Sequence, residues 1–269
     1  MAGEADRRAR LREEARQRAL EALRARPRSI DSPELEAWFA EDDRSDVETA
    51  EAFVRLAGAI GRVCRCAAEW RVVRTAADHR TQSGIDVLSD PQGFADWSIA
   101  ASEGGPIHLS ALGFSPQVPR EDPRFYTASL TYDGATSTGP AHLFFAPKVY
   151  ETDPVHPMPL DEWRAVVAAV VTWRRPLFLR VGTKNYPLRD AVFDHRMWGG
   201  WMGWIAGEVP EASLPDHARA ERVGDGTLVR VQDENVDTGD PDQVARANAV
   251  EVALAELGVL PARVDILGR

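Results

Sequence analysis

From Asp46 to about Cys66 the apolar residues Val47, Ala50, Val54, Ala57 and Ile60 recur every three or four positions, which predicts an amphipathic helix. A second run opens at Pro159 and continues to about Arg174, with Trp163, Val166, Val167, Val170 and Val171 on one broad apolar face. Asp240-Pro241-Asp242-Gln243 supplies an aspartate cap, a proline at the first helical position and a glutamine at N3. It opens a third helix with Val244, Ala247, Val250, Leu254 and Leu257 inward, stopped by Gly258. Ser32-Pro33 reads in the same way, as cap and first residue of a short helix through Phe39. A further helix is expected near Phe94–Trp97. Glu4 to Arg26 combines good helix formers with a thin leucine stripe (Leu11, Leu20, Leu23), which predicts a solvated helical extension over residues 1–28.

Period-two patterns mark the strands. Phe125–Tyr132 and Ala141–Val149 are rich in β-favouring residues and are separated by Asp133-Gly134 and Gly139-Pro140, so they are expected to pair antiparallel. Trp70–Val73 and Leu177–Val181 read as short strands, Tyr186–Phe193 as a loop or single turn, and Asp225-Gly226 as the turn of a hairpin leading into Thr227–Val231. Strands clustered between helices, without strict βαβ alternation, give an α+β class: a mixed or antiparallel central sheet flanked by helices, with the Arg-rich helical extension at 1–28 and one globular domain over 29–269.

The densest aromatic stretch is Trp198-Gly199-Gly200-Trp201-Met202-Gly203-Trp204. Spacing of three would stack its tryptophans along a helix, but each glycine costs a helix interior about 1 kcal/mol, so the extended form is preferred. On a strand, Trp198, Met202 and Trp204 share one face with Gly200 while Trp201 and Ile205 take the other. Both faces are then apolar, which predicts an interior strand with glycines where a ring or backbone approaches closely. Core packing is the main reading, and Trp201 is the candidate for an exposed interface anchor.

Composition narrows the function classes. With 44% hydrophobic and 28% charged residues the chain has the balance of a soluble folded protein, and its longest aliphatic run, Ala165 to Val171, is far too short to span a bilayer. The charged N-terminus lacks the apolar core of a secretory signal, so a cytoplasmic location is expected. Residues 1–28 hold nine arginines against five acids, a surplus of four, so the other 241 residues carry −14 against −10 for the whole chain. An acidic body disfavours nucleic acid as a direct ligand and steers basic partners. Cys64 and Cys66 form neither a redox motif nor half a zinc site.

The acidic loop Asp233-Glu234-Asn235-Val236-Asp237-Thr238-Gly239-Asp240 has the alternating spacing of a calcium loop, but Thr238 stands where glycine is required and Val244 where the bidentate glutamate belongs. No metal or cofactor is therefore expected, and Asp233, Glu234, Asp237 and Asp240 become candidates for docking a basic partner. The six histidines include no pair at helical spacing, although His79 and His195 each follow an aspartate. No nucleophile elbow or phosphate-binding loop is present, and a small-substrate enzyme using His195, Asp194 or His79 in a cleft near the tryptophans is the rival reading, with a non-catalytic scaffold as a third.

Together, the Pro159-Leu160-Asp161-Glu162-Trp163 helix start, the Gly-Trp-Met-Gly-Trp core of residues 200–204, Gly226-Thr227-Leu228-Val229, the run Asp240 to Glu251 and Leu257-Gly258-Val259-Leu260-Pro261 resemble the immunity protein 52 family. The likeness covers about residues 125–261. It implies an α+β protein encoded beside a polymorphic toxin, often a nuclease, which it neutralises by binding and not by catalysis. The partner implied is a basic cognate toxin, with no nucleic acid, membrane or cofactor.

Overall fold

The computed structural model describes residues 32–41, 43–65, 67–72, 84–115, 127–137, 139–148 and 158–268; the extension expected at 1–28 lies outside them. The described strands are β1 (Glu34–Phe39), β2 (Glu69–Val72), β3 (Ile85–Asp86), β4 (His108–Phe114), β5 (Thr127–Asp133), β6 (Ala141–Lys148), β7 (Phe178–Gly182), β8 (Met202–Ala206), β9 (Arg219–Val223) and β10 (Gly226–Arg230). The helices are α1 (Asp46–Val63), α2 (Pro91–Ala101), α3 (Leu160–Trp173), α4 (Pro241–Glu256) and the short α5 (Arg263–Leu267). All ten strands join one antiparallel sheet in the order β3-β2-β4-β5-β6-β1-β7-β8-β10-β9. The fold is α+β, as the sequence predicts. No helix among the described residues is long and apolar enough to cross a membrane.

The helix expected at Ser32–Phe39 is instead the central strand β1, which pairs with β6 on one side and β7 on the other. Its sequence alternates, with Glu34 and Glu36 on one face and the fully buried Leu35, Ala37 and Phe39 on the other. Pro33 precedes the strand, where its missing N–H breaks no ladder bond, so the cap-like dipeptide does not compel a helix. The helix at Asp46 is present and is fixed by a capping box: Glu48 N–H donates to Ser45 Oγ at 3.3 Å, and Ser45 N–H donates to the Glu48 carboxylate at 2.8 Å. Val47, expected inward, is 46% exposed because it lies in the first turn, ahead of the packed face.

One sheet face is covered along its length. Cross-strand partners Leu130, Phe145, Leu35, Val181 and Met202 lie in a row on it. Trp163 of α3 meets Phe145 edge-on at 5.7 Å, and Trp173 meets Phe39 and Tyr132 in the same way at 5.4 and 5.6 Å. α1 packs beside α3, and Phe53 of α1 stacks on Phe94 of α2 at 5.6 Å. The second face is treated unequally. In β8 and β10 residues of both faces are buried, whereas His108–Leu112 of β4, Ala128–Asp133 of β5 and Ala141–Phe145 of β6 alternate between buried and more exposed positions.

The tryptophan segment closes the second face at the β8 end. β8 begins only at Met202, so Trp198 is not part of the strand, and the expected grouping of Trp198 with Met202 and Trp204 is corrected. Met202 and Trp204 pair with Val181 and Leu179 and point to the helix-covered face. Trp198 lies on the other, over Gly203, where a Cβ would sit 2.6 Å from its ring. Gly199 crosses beside β7, 2.9 Å from the Arg180 Cβ by the same measure, and Gly200 turns the chain into β8 with φ +83° against the face of Tyr186. The interior strand and the glycines beneath rings match the sequence reading, with backbone and ring in contact where a side chain would separate them.

Gly200→Ala must therefore both adopt an unfavourable φ and displace the Tyr186 ring, and is expected to cost about 3 kcal/mol of stability in urea denaturation. Gly207, with φ +90° and open space around it, isolates the backbone term, and Gly207→Ala should cost about 1 kcal/mol. Equal losses at the two positions would show that contact with Tyr186 contributes nothing.

Candidate functional site

Several residues that carry the family resemblance, among them Trp201, Trp204, Val250, Glu251 and Leu260, are buried. Glu251, fully buried on α4, accepts hydrogen bonds from the Tyr186 hydroxyl at 2.8 Å and from the backbone N–H groups of Val192 and Phe193 at 3.0 Å each. The same hydroxyl lies 2.7 Å from the Asn248 side-chain oxygen. Burial, reinforced by the Glu251 carboxylate, holds the Tyr186 phenol proton well above its ordinary range. Met197 N–H donates to Pro261 O at 3.0 Å, Val231 N–H to Trp201 O at 2.9 Å, and the Trp204 indole to Val223 O at 2.9 Å. Tryptophan segment, hairpin, α4 and the Leu257–Pro261 tail thus form one scaffold, and its carboxylate is consumed by internal donors.

Trp201 belongs to this scaffold. It is 3% exposed, its indole N–H donates to Gln232 O at 3.0 Å, and its ring meets Trp163 edge-on at 6.1 Å. As an exposed anchor it is therefore ruled out: both its ring and its polar atom already have partners inside the fold. The acidic loop is more mixed. Asp240 caps α4 by accepting from Asp242 N–H at 2.9 Å, and hydrogen bonds from the Gln243 side chain and the Asp242 backbone hold its carboxyl below the usual range. Asp237 accepts from Gly239 N–H at 2.7 Å, and Asp233 is ion-paired with Arg230. Glu234 is exposed. The loop acids thus divide into those that shape the turn and cap, Asp237 and Asp240, and those whose charge faces solvent, Asp233 and Glu234.

His195 lies 3.4 Å from Asp194, but their side chains are 65% and 98% exposed, so the pair stands on the surface instead of in a cleft. His79 falls outside the described residues. A cavity of about 140 Å³ lies beside the start of α1, lined in part by Glu41, Arg44, Asp46 and Arg174. Arg174 there already donates to the Tyr132 hydroxyl at 2.8 Å and to Ala40 O, and lies 5.1 Å from the centre of the Phe39 ring.

Sequence reading missed the side chains that share the half-open sheet face. Register places His108, Asp133, His142, Trp38 and Phe178 in one row across five strands, with Phe144, Glu36 and Arg180 in the next. His108 Nδ1 lies 2.6 Å from Asp133 Oδ1. Arg180 donates to Glu36 through Nε at 2.6 Å while its guanidinium sits 5.5 Å over the Trp38 ring. Lys184, 64% exposed, lies 3.1 Å from Glu34 and 5.6 Å over Phe144. His142 faces Trp38 at 5.2 Å. Burial lowers its pKa, and this outweighs the raising influence of the Glu36 and Asp133 carboxylates. Nothing in the local sequence signals this cluster, because each residue comes from a separate strand and only the register assembles them.

No family model and no curated protein matches the chain, so the likeness to the immunity protein 52 family rests on the residues quoted for it. Among solved structures the chain is similar to a Pseudomonas aeruginosa T6SS protein, PA0821, at 14% identity and a TM-score of 0.48, over 83% of this chain and 72% of that one.

Glu251→Ala would leave the Val192 and Phe193 N–H groups without their acceptor and the Tyr186 hydroxyl with Asn248 alone, and should cost about 3 kcal/mol in denaturant unfolding. A loss below about 1 kcal/mol would show that the carboxylate does not hold the turn to α4. His142 supplies a pH test. Its folded-state pKa lies below its ordinary value of 6.5, so the unfolded chain takes up the proton first. Stability is then intact above about pH 6.5 and falls as the pH drops toward the folded pKa. His142→Gln should reduce the loss of Tm between about pH 7.5 and pH 5; an unchanged pH profile would contradict the assignment.

Proposed function

We propose that this chain is a bacterial immunity protein: it binds a cognate, basic polymorphic toxin of the nuclease class in the cytoplasm and neutralises it by occlusion. The observation that carries the reading is where the family-like residues sit. They build a scaffold in which the Glu251 carboxylate and the Trp201 and Trp204 indoles are hydrogen-bonded inside the fold, which supports reading the signature as a shape and not a reaction. A scaffold of this kind suits a protein that acts through its surface. The charge of −14 outside residues 1–28 supports a basic partner, since complementary potentials accelerate encounter and suppress wrong partners.

Expression of the gene immediately upstream should be toxic by itself and tolerated when this chain is co-expressed, and the two products should co-purify. Toxicity unrelieved by this chain, with no complex, would overturn the reading. Solvent-facing Asp233 and Glu234 are assigned to steering. The double variant Asp233→Lys, Glu234→Lys should slow association by about threefold to tenfold at low salt and flatten its salt dependence. An unchanged rate and slope in stopped-flow binding would remove these residues from the encounter.

A further inference from the structure

We infer that the half-open face of β4, β5, β6 and β1 is the surface on which the toxin seats, with a basic side chain of the partner laid over the Phe144–His142 floor beside Asp133 and Glu36. The inference rests on the immunity reading and names its docking surface. Its first support is the one-sided burial of the middle of these strands: Leu109, Ala111, Leu130, Tyr132, Leu143 and Phe145 are at most 3% exposed on the helix side. Ser110, Leu112, Ser129, Thr131, His142 and Phe144 on the other side are only part-buried, while Phe114, Thr127, Ala146 and Trp38 on that side are buried and limit the opening. Register sets Ser129 between Leu112 and Ala146, and Thr131 between Ser110 and Phe144, so small side chains border the Phe144 ring.

The choice of occupant follows from charge and from what the face already holds. Its rings carry two cations of the chain itself, Arg180 over Trp38 and Lys184 over Phe144. Each of these is neutralised by a neighbouring carboxylate, Glu36 and Glu34 respectively. Asp133 adds a carboxylate that is 55% exposed and whose neighbour is a histidine. Among the described side chains of this face, Asp133 is an exposed carboxylate partnered by a histidine and not by Arg or Lys, and it stands beside the His142 and Phe144 rings. Carboxylate next to an aromatic ring is the chemistry that receives a guanidinium or ammonium. Strand spacing of about 4.8 Å and a rise of about 3.3 Å per residue make four strands of six residues roughly 20 Å on a side. That area supplies the centre of a standard interface of about 800 Å² per partner, with surrounding loops completing it.

The test uses the purified full chain and the product of the adjacent upstream gene. Thr131→Arg places bulk and like charge beside Phe144 at a part-exposed position, and Asp133→Lys reverses the exposed carboxylate. Each should weaken the complex by about a hundredfold and abolish protection in co-expression, with Tm within a few degrees of the parent. Glu256→Arg, on the exposed surface of α4, should bind as the parent does. If the parent chain binds and protects while both face variants do so equally well, docking lies elsewhere and the immunity reading stands. If Thr131→Arg instead converts a self-associated form to monomer and leaves toxin binding intact, the face is a contact between copies and the inference falls. If the parent itself neither binds nor protects, both the reading and the inference fail. Should Thr131→Arg prove unstable, Ser129→Arg carries the same expectation.

Discussion

Hydrogen bonding of β1 to both β6 and β7 joins two sets of antiparallel strands that chain order alone would leave apart. On one side stand β2 to β6, on the other β7 to β10, and the strand between them comes first in the described chain. Because side chains alternate along β1, one face places Leu35, Ala37 and Phe39 beneath α1 and α3. The other aligns Glu36 and Trp38 with Arg180 of β7 and His142 of β6. A one-residue slip would exchange these two sets, burying Glu34 and Glu36 under the helices, so the register of this strand is strongly specified. The charged and aromatic row on the second face is a consequence of that register.

The two ends of the second face differ for a reason rooted in glycine. At the β7–β8 end Gly182, Gly199 and Gly203 allow backbone and the Trp198 ring to lie directly on the strands, and α4 closes the layer through Glu251 and Tyr186. Strands β5 and β6 carry Thr131, His142 and Phe144 on the same face, and these side chains hold any covering layer at a greater distance. The closed end gives the fold its scaffold, while the half-open end offers area, charge and rings to another molecule. Binding by such a surface needs no preformed pocket and suits complementarity with a protein partner.

Much of the fold was legible. α1, α3 and α4 announce themselves by apolar spacing and by capping residues such as Asp240 and Pro241, and the β5–β6 pair and the β9–β10 hairpin by alternation and turns. Ser32-Pro33 imitates a helix start and so hides β1, although Glu34-Leu35-Glu36-Ala37 alternates with the period of a strand. The tryptophan segment was recognised as interior, but its faces were misassigned, since the positive φ at Gly200 breaks the strand period between Trp198 and Met202. The row from His108 to Phe178 was not legible at all. Its members are spread over five strands, and register is a property of the assembled sheet.

Immunity by occlusion from the half-open face makes one geometric claim above the rest: the partner covers β4, β5, β6 and β1 and leaves the Glu251 scaffold untouched. A crystal structure of the chain bound to the product of its upstream neighbour measures this directly. The account predicts that Thr131, Asp133 and Phe144 lose their solvent exposure to a basic segment of the partner, with α4 still open to solvent. A partner seated on α4 and the tryptophan segment, with the sheet face free, would contradict it.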